Sequence, residues 1–190
     1  NIPADKGRIT KYTATTILAD VYLWRDDYAD CITECDKVIN SGKYGLVPGN
    51  SQSQWFNTLY VAGNSTEGIF ELQYDQQSLN PYFNLFAPSV KYHFLAEANI
   101  ADNYSFDEND VNNIDIRSYD VAFHAADQTI YKYIATSPTN LRSSATSYAH
   151  WIFYRYADIL LMKAEACIYS GRGQDALDLI DQIRTRANAL

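Results

Sequence analysis

The chain has 190 residues, with hydrophobic residues at 47%, aromatic residues at 14% and a formal net charge of −8. Lysine and arginine are scattered rather than clustered, so no basic stripe offers itself to a phosphate backbone or an anionic membrane, and nucleic acid is excluded as a partner. A length of this order favours one domain with a sizeable core, and no run of some twenty apolar residues calls for a membrane span.

From Arg8 to Arg25, Ala14, Ile17, Leu18, Val21 and Tyr22 recur at helical spacing, which predicts an amphipathic helix with that stripe facing the core. Asp26 and Asp27 are helix-capping residues, and after them Tyr28, Cys31, Ile32, Cys35, Val38 and Ile39 form a second stripe that Gly42 closes. So short a turn predicts an antiparallel hairpin over about 8–41. Cys31 and Cys35 lie one helical turn apart, a geometry poorly suited to a disulfide, and no histidine stands near to complete a zinc set. They and Cys167 are therefore expected to be buried packing residues.

The stretch from about Lys43 to Ser147 mixes Asn, Ser, Asp, Gln, Pro and aromatic residues with no sustained period, and predicts a loop-rich insert. Two segments in it are candidate short strands: Gly68 to Tyr74, where Phe70, Leu72 and Tyr74 alternate with polar neighbours, and Thr129 to Ile134, rich in β-formers. Long ordered loops normally carry function, so the insert is the expected working surface.

A second hairpin is predicted over about 151–189. Ala157, Leu160, Leu161, Ala164 and Ile168 make its first stripe, and Ala176, Leu179, Ile180, Ile183 and Ala187 its second. Small residues at Ala157, Ala164 and Ala166 predict close helix contact on both sides. Arg155, Asp158, Met162 and Glu165 share the remaining side, where a structural clamp between Arg155 and Asp158 is expected. Ala19, Tyr22, Ala29 and Ile32 match Ala166, Tyr169, Ala176 and Leu179 at one constant offset, as two copies of a tetratricopeptide-like hairpin would. The fold class read from these patterns is mainly α, helical hairpins carrying a long loop-rich insert with short β elements, in a single unit spanning 1–190.

Catalytic signatures are absent. There is no glycine-rich phosphate loop, no His-Glu-x-x-His and no Gly-x-Ser-x-Gly, and His93, His124 and His150 are far apart in sequence. The acidic run Asp102, Asp107, Glu108, Asp110 and Asp115 lacks the alternating pattern of a preformed calcium loop and reads as a solvated surface segment. A pair of its carboxylates set about 5 to 10 Å apart across a cleft would suit a glycosidase, an alternative the sequence leaves open. No cofactor or metal is expected.

The wording of four stretches, in order, resembles the SusD/RagB family. They are Gly7 to Lys11 leading into Ile17 to Leu23, Asp27 to Ala29, Lys37 to Ile39 and Tyr44; Asn64 to Glu71 with Gln73; Asp115 to Arg117 with Lys132 and Tyr133; and Arg155 to Ala166 with Ile183 to Ala187. Asp181 and Asn188 depart from the family's usual Asn and Gly. The resemblance implies a stack of tetratricopeptide-like hairpins and a middle-to-late portion of a longer surface lipoprotein, whose lipid-bearing cysteine and first helical repeats have no counterpart here. It also implies non-catalytic capture of oligosaccharide at the outer membrane, with delivery to a SusC-type TonB-dependent transporter. Membrane association would come only through the lipid anchor.

Sugars present apolar C–H faces between hydroxyl groups, so a glycan surface needs aromatic platforms flanked by planar amides and charges. Sixteen tyrosines and three tryptophans supply such rings. The candidate platforms are Trp55, Tyr82, Phe83, Tyr92 and Tyr104, and the candidate hydrogen-bonding neighbours are Gln77, Asn80, Asn84 and Lys91, chosen for their place in polar, proline-containing loops. The competing readings are a tetratricopeptide-like module that grips a protein segment in its helical groove, and a glycoside hydrolase.

Overall fold

A computed structural model describes residues 6–88, 94–104, 115–118, 120–124, 126–137 and 139–189. The helices are α1 (Lys11–Trp24), α2 (Tyr28–Ile39), the short α3 (Gln52–Phe56) running into a π-helical turn at Asn57–Ala62, α4 (Phe83–Phe86), α5 (Tyr156–Tyr169) and α6 (Gly173–Arg186). Between them lie β1 (Gly68–Leu72), β2 (Ala135–Ser137), β3 (Asn140–Leu141) and β4 (Trp151–Arg155), in two antiparallel or paired ribbons, β1 with β4 and β2 with β3. The architecture is mainly helical with a few short strands. The chain gathers into two compact units, one of residues 1–47, 64–72 and 152–184, the other of residues 48–63, 73–151 and 185–190.

The first unit holds both hairpins. Helix α1 starts at Thr10, whose hydroxyl accepts the Thr13 backbone N–H at 3.1 Å while the Thr13 hydroxyl accepts that of Thr10 at 3.2 Å, so two of the amides left over at a helix start are satisfied. Asp27 occupies the cap position of α2 without a side-chain bond; its carboxylate instead meets Arg25 at 3.2 Å. The core is built from Cys31, Ile32, Cys35 and Val38 of α2, Ala157, Ile159, Leu160, Ala164, Ala166 and Cys167 of α5, and Ala176, Leu179 and Ile183 of α6. The three thiols are free and buried, as the sequence implied, and the Cys31 thiol lies 3.9 Å from the Met162 carbonyl.

Periodicity located α1 but misjudged its inward face. Ile17, Leu18 and Val21 are 38%, 39% and 45% exposed, whereas Thr13, Thr16 and Ala19 are fully buried. These small side chains let the backbone come close, and the Thr13 hydroxyl reaches the Ile69 carbonyl of β1 at 3.5 Å. On α5, Ala157, Ala164 and Ala166 are buried as expected, while Leu161 and Ile168 face outward. The repeat shows in burial at two anchors, Ala19 with Ala166 and Ile32 with Leu179; Ala29 is exposed where its counterpart Ala176 is buried.

Residues 151–155 are strand rather than the start of the hairpin because they pair with β1, and Glu67, just before β1, holds the junction with α5. Glu67 has no exposed surface; its Oε2 accepts the Val47 N–H at 2.8 Å, its Oε1 accepts Arg155 Nη1 at 3.2 Å, and its carbonyl accepts the Tyr156 N–H at 2.8 Å. Asp158 accepts the Arg155 backbone N–H at 2.8 Å and so opens α5. The expected clamp at Arg155 thus extends to a residue 88 positions away.

The second unit contains most of the insert. Strand β1 appears where alternation predicted it, in the first unit, but Thr129 to Ile134 makes only an isolated bridge, Ile130 to Phe123, followed by a turn; the strand begins at Ala135. The turn wins because the Ile134 and Ala135 amides both donate back to the Tyr131 carbonyl. Asp115 is buried, held by Arg117 at 2.6 to 3.2 Å through Nε and Nη2, so this member of the acidic run is ion-paired rather than solvated. Asp107, Glu108 and Asp110 lie outside the described residues. Among the described residues no helix is long and apolar enough to cross a membrane.

Candidate functional site

Two half-exposed rings of the insert, Tyr82 and Phe86, meet Trp151 in the second unit. The segment before them is fixed by Asn80, whose backbone N–H donates to the Ser147 carbonyl at 2.6 Å. Its side-chain Nδ2 donates to the Ala149 carbonyl at 2.7 Å and its Oδ1 accepts the Tyr82 N–H at 2.9 Å. Pro81 follows, compatible with the turn that leads into α4. Within α4, Phe83 turns inward and packs with Ala87 and Ile134.

On this footing Tyr82 meets Trp151 with ring centroids 4.6 Å apart and planes tilted by 47°. Trp151 stacks on Tyr133 at 4.4 Å, and Phe86 lies 6.4 Å from Trp151 and 6.2 Å from Tyr133. Tyr133 is buried and continues edge-on into Tyr60 at 6.1 Å, with the Lys132 ammonium 5.4 Å from the Tyr60 ring. Tyr82, Phe86 and Trp151 are the members that keep partial exposure. Their contacts at 4.4 to 6.4 Å lie in the range in which aromatic pairs attract, so the rings arrive positioned before any ligand does. Gln77 and Asn84, on the segment that carries Tyr82, are exposed.

The residues singled out from sequence separate accordingly. Tyr82 lies in the cluster, with Gln77 and Asn84 exposed on the same segment. Phe83 and Asn80, 2% and 3% exposed, lie beneath it as packing and hydrogen-bonding residues. Trp55 is 3% exposed, covered by the Arg186 guanidinium at 5.4 Å and edge-on to Tyr60 at 5.7 Å, so its ring is core and not a platform. Tyr104 is half-buried against Phe123 at 5.9 Å, outside the Tyr82 cluster; burial and then the nearby Asp115 carboxylate push its hydroxyl above the ordinary range. Tyr92 and Lys91 lie outside the described residues, as does His93. Trp151 and Phe86 were missed. The signal for Trp151 was present in the run Trp151-Ile-Phe-Tyr154, four successive β-formers that stand directly before a strong helix pattern.

His124 lies flat on Tyr131 at 5.4 Å and its Nδ1 pairs with Asp127 at 3.0 Å. Burial acts against the Asp127 charge, but bonds from Thr129 and His124 prevail and hold that carboxyl below its usual value, the setting of a turn rather than of a general acid. Among the described residues, no group of three or more His, Cys, Asp or Glu is placed to hold a metal ion.

The sequence model of the SusD family matches residues 11–189. No curated protein sequence matches the chain. Among solved structures, a SusD superfamily protein from Parabacteroides distasonis superposes with a TM-score of 0.74 at 22% identity, over 97% of this chain and 46% of its own. A SusD-like carbohydrate binding protein from Bacteroides fragilis gives 0.66 at 16% identity over 99% and 46%, and one from Bacteroides vulgatus gives 0.61 at 15% over 100% and 40%. The chain thus spans less than half the length of these structures.

Proposed function

Because the chain belongs to the SusD family, we propose that it is part of a non-catalytic cell-surface protein that binds oligosaccharide or polysaccharide. In this reading Tyr82, Phe86 and Trp151 form the apolar platform for a sugar ring, and Gln77 and Asn84 supply amide hydrogen bonds at its edge. The observation that carries it is the convergence of three half-exposed rings at 4.6 and 6.4 Å around Trp151, on a segment whose exposed neighbours are planar amides. Stacking on such rings recognises the C–H face of a pyranose, and the amides read its hydroxyl groups.

The captured glycan is handed to a partner TonB-dependent transporter of the SusC type. The protein works at the outer surface of the outer membrane, held there by a lipid anchor. Support for the binding role comes from the carbohydrate-binding relatives of the same fold; the transporter and the anchor follow from the family resemblance of the sequence.

The test uses the complete protein and a panel of polysaccharides, by affinity electrophoresis and titration calorimetry. Binding to at least one glycan is expected, weakened at least tenfold by Trp151→Ala or Tyr82→Ala, each mutant remaining folded. Absence of binding across a broad panel, or binding indifferent to both substitutions, refutes the assignment.

A further inference from the structure

We infer that Asn80 is a positioning residue for the aromatic platform, setting the Tyr82–Trp151 geometry without touching the ligand. The inference rests on the glycan reading above for its consequence, but its structural part stands on its own. The Asn80 carboxamide is buried and joins two segments distant in sequence, one carrying Tyr82 two residues later, the other carrying Trp151 two residues after Ala149. Each end of the amide has its own task. Nδ2–H donates to the Ala149 carbonyl at 2.7 Å, and Oδ1 accepts the Tyr82 N–H at 2.9 Å.

Only a group with one donor and one acceptor at this separation satisfies both partners. Ala149 and Ser147 are 1% and 4% exposed, so bulk water has little access to replace a lost bond. An ionised aspartate at position 80 would keep the bond from Tyr82 but set a negative oxygen against the Ala149 carbonyl. The segments would then be left with the backbone bond from Asn80 to the Ser147 carbonyl, and the rings they carry at 4.6 Å would lose their fixed register. A protonated aspartic acid, by contrast, restores both the donor and the acceptor in nearly the same shape. The variant therefore carries its own switch, since proton uptake converts it from a broken latch to a working one, with a carboxyl whose pKa is raised by burial and by the facing carbonyl.

The experiment compares the complete wild-type protein with Asn80→Asp and Asn80→Leu, reading near-ultraviolet circular dichroism from the coupled Tyr82 and Trp151 rings, thermal midpoint, and affinity for a glycan the wild type binds, from pH 4 to 9. Leu160→Ala, a core change in the other unit, controls for general destabilisation. Asn80→Leu is expected to lose the aromatic signal and on the order of tenfold in affinity at every pH. Asn80→Asp should show the same losses at high pH and recover both on acidification, while wild type and Leu160→Ala stay flat over the range.

If Asn80→Asp and Asn80→Leu both keep wild-type signal and affinity throughout, the inference is overturned. It is overturned equally if the aspartate variant loses both without any pH dependence, or if Leu160→Ala loses affinity in parallel. Should the wild type bind no glycan, the functional reading fails, while the dichroism arm still decides whether Asn80 sets the ring geometry.

Discussion

Replacing Glu67 by alanine removes the carboxylate that joins the Val47 amide to the Arg155 guanidinium. Val47 is 3% exposed, so losing this bond to its N–H inside the protein costs about 1–3 kcal/mol. Breaking a buried ion pair by removing one partner costs about 3–5 kcal/mol. The Arg155 side chain retains 19% exposure, which lets water take up part of the guanidinium and argues for the lower end of that range. The two losses share one group and are not additive. A net destabilisation of about 3–5 kcal/mol follows, which for a chain of this length lowers the thermal midpoint by roughly 6–20 °C.

Calorimetry and circular dichroism melts at neutral pH measure the shift directly. Glu67→Leu combined with Arg155→Met should be less destabilised than the alanine single variant, because both members of the pair are replaced by apolar groups of similar volume. A midpoint within about 3 °C of wild type for Glu67→Ala would refute this reasoning, since it would mean that the carboxylate contributes no more than a surface group.

Other substitutions probe separate features. A Cβ at Gly49 would lie 1.7 Å from the Arg186 carbonyl oxygen and 3.0 Å from Ile116 Cδ1, so Gly49→Ala must displace backbone, and a loss of more than about 2 kcal/mol in urea titration is expected. Trp55→Ala should cost about 3–5 kcal/mol as a core deletion, yet leave glycan affinity per folded molecule unchanged, the reverse of Trp151→Ala. Burial, and then the bond to Asp20 at 2.6 Å, push the Tyr154 hydroxyl up to about 12. Its unfolded value is near 10, so the contribution is whole below pH 10 and is lost as pH rises from about 10 to 12, where the unfolded chain ionises first. Tyr154→Phe should flatten stability over that window, measured by chemical denaturation at stepped pH. Substituting Trp24, 85% exposed on α1, by serine should change stability of this chain by no more than about 0.5 kcal/mol.

Period, caps and small residues determined the helical frame by themselves. Helices α1, α2, α5 and α6 each fall where apolar residues recur at helical spacing, and the thiols of Cys31, Cys35 and Cys167 lie in the core because they stand on the packed faces of α2 and α5. Which face of a helix turns inward was a different matter. Thr13, Thr16 and Ala19 were chosen over Ile17, Leu18 and Val21 because close approach to β1 and α2 needs small side chains, and hydrophobicity alone does not register that requirement.

The candidate site was legible only in part. Tyr82, Gln77 and Asn84 could be named from loop composition, whereas Trp151 stands about seventy positions further on and meets Tyr82 through a contact made only in the folded chain. Burial sorted the rest: Trp55 and Phe83 look as much like platforms in the sequence as Tyr82 does, but contacts with Arg186, and with Ala87 and Ile134, put them inside. Local pattern fixes local structure because its forces act over a few residues. Pairings such as Asn80 with Ala149, or Glu67 with Arg155, depend on chain closure over long separations, which no local pattern encodes.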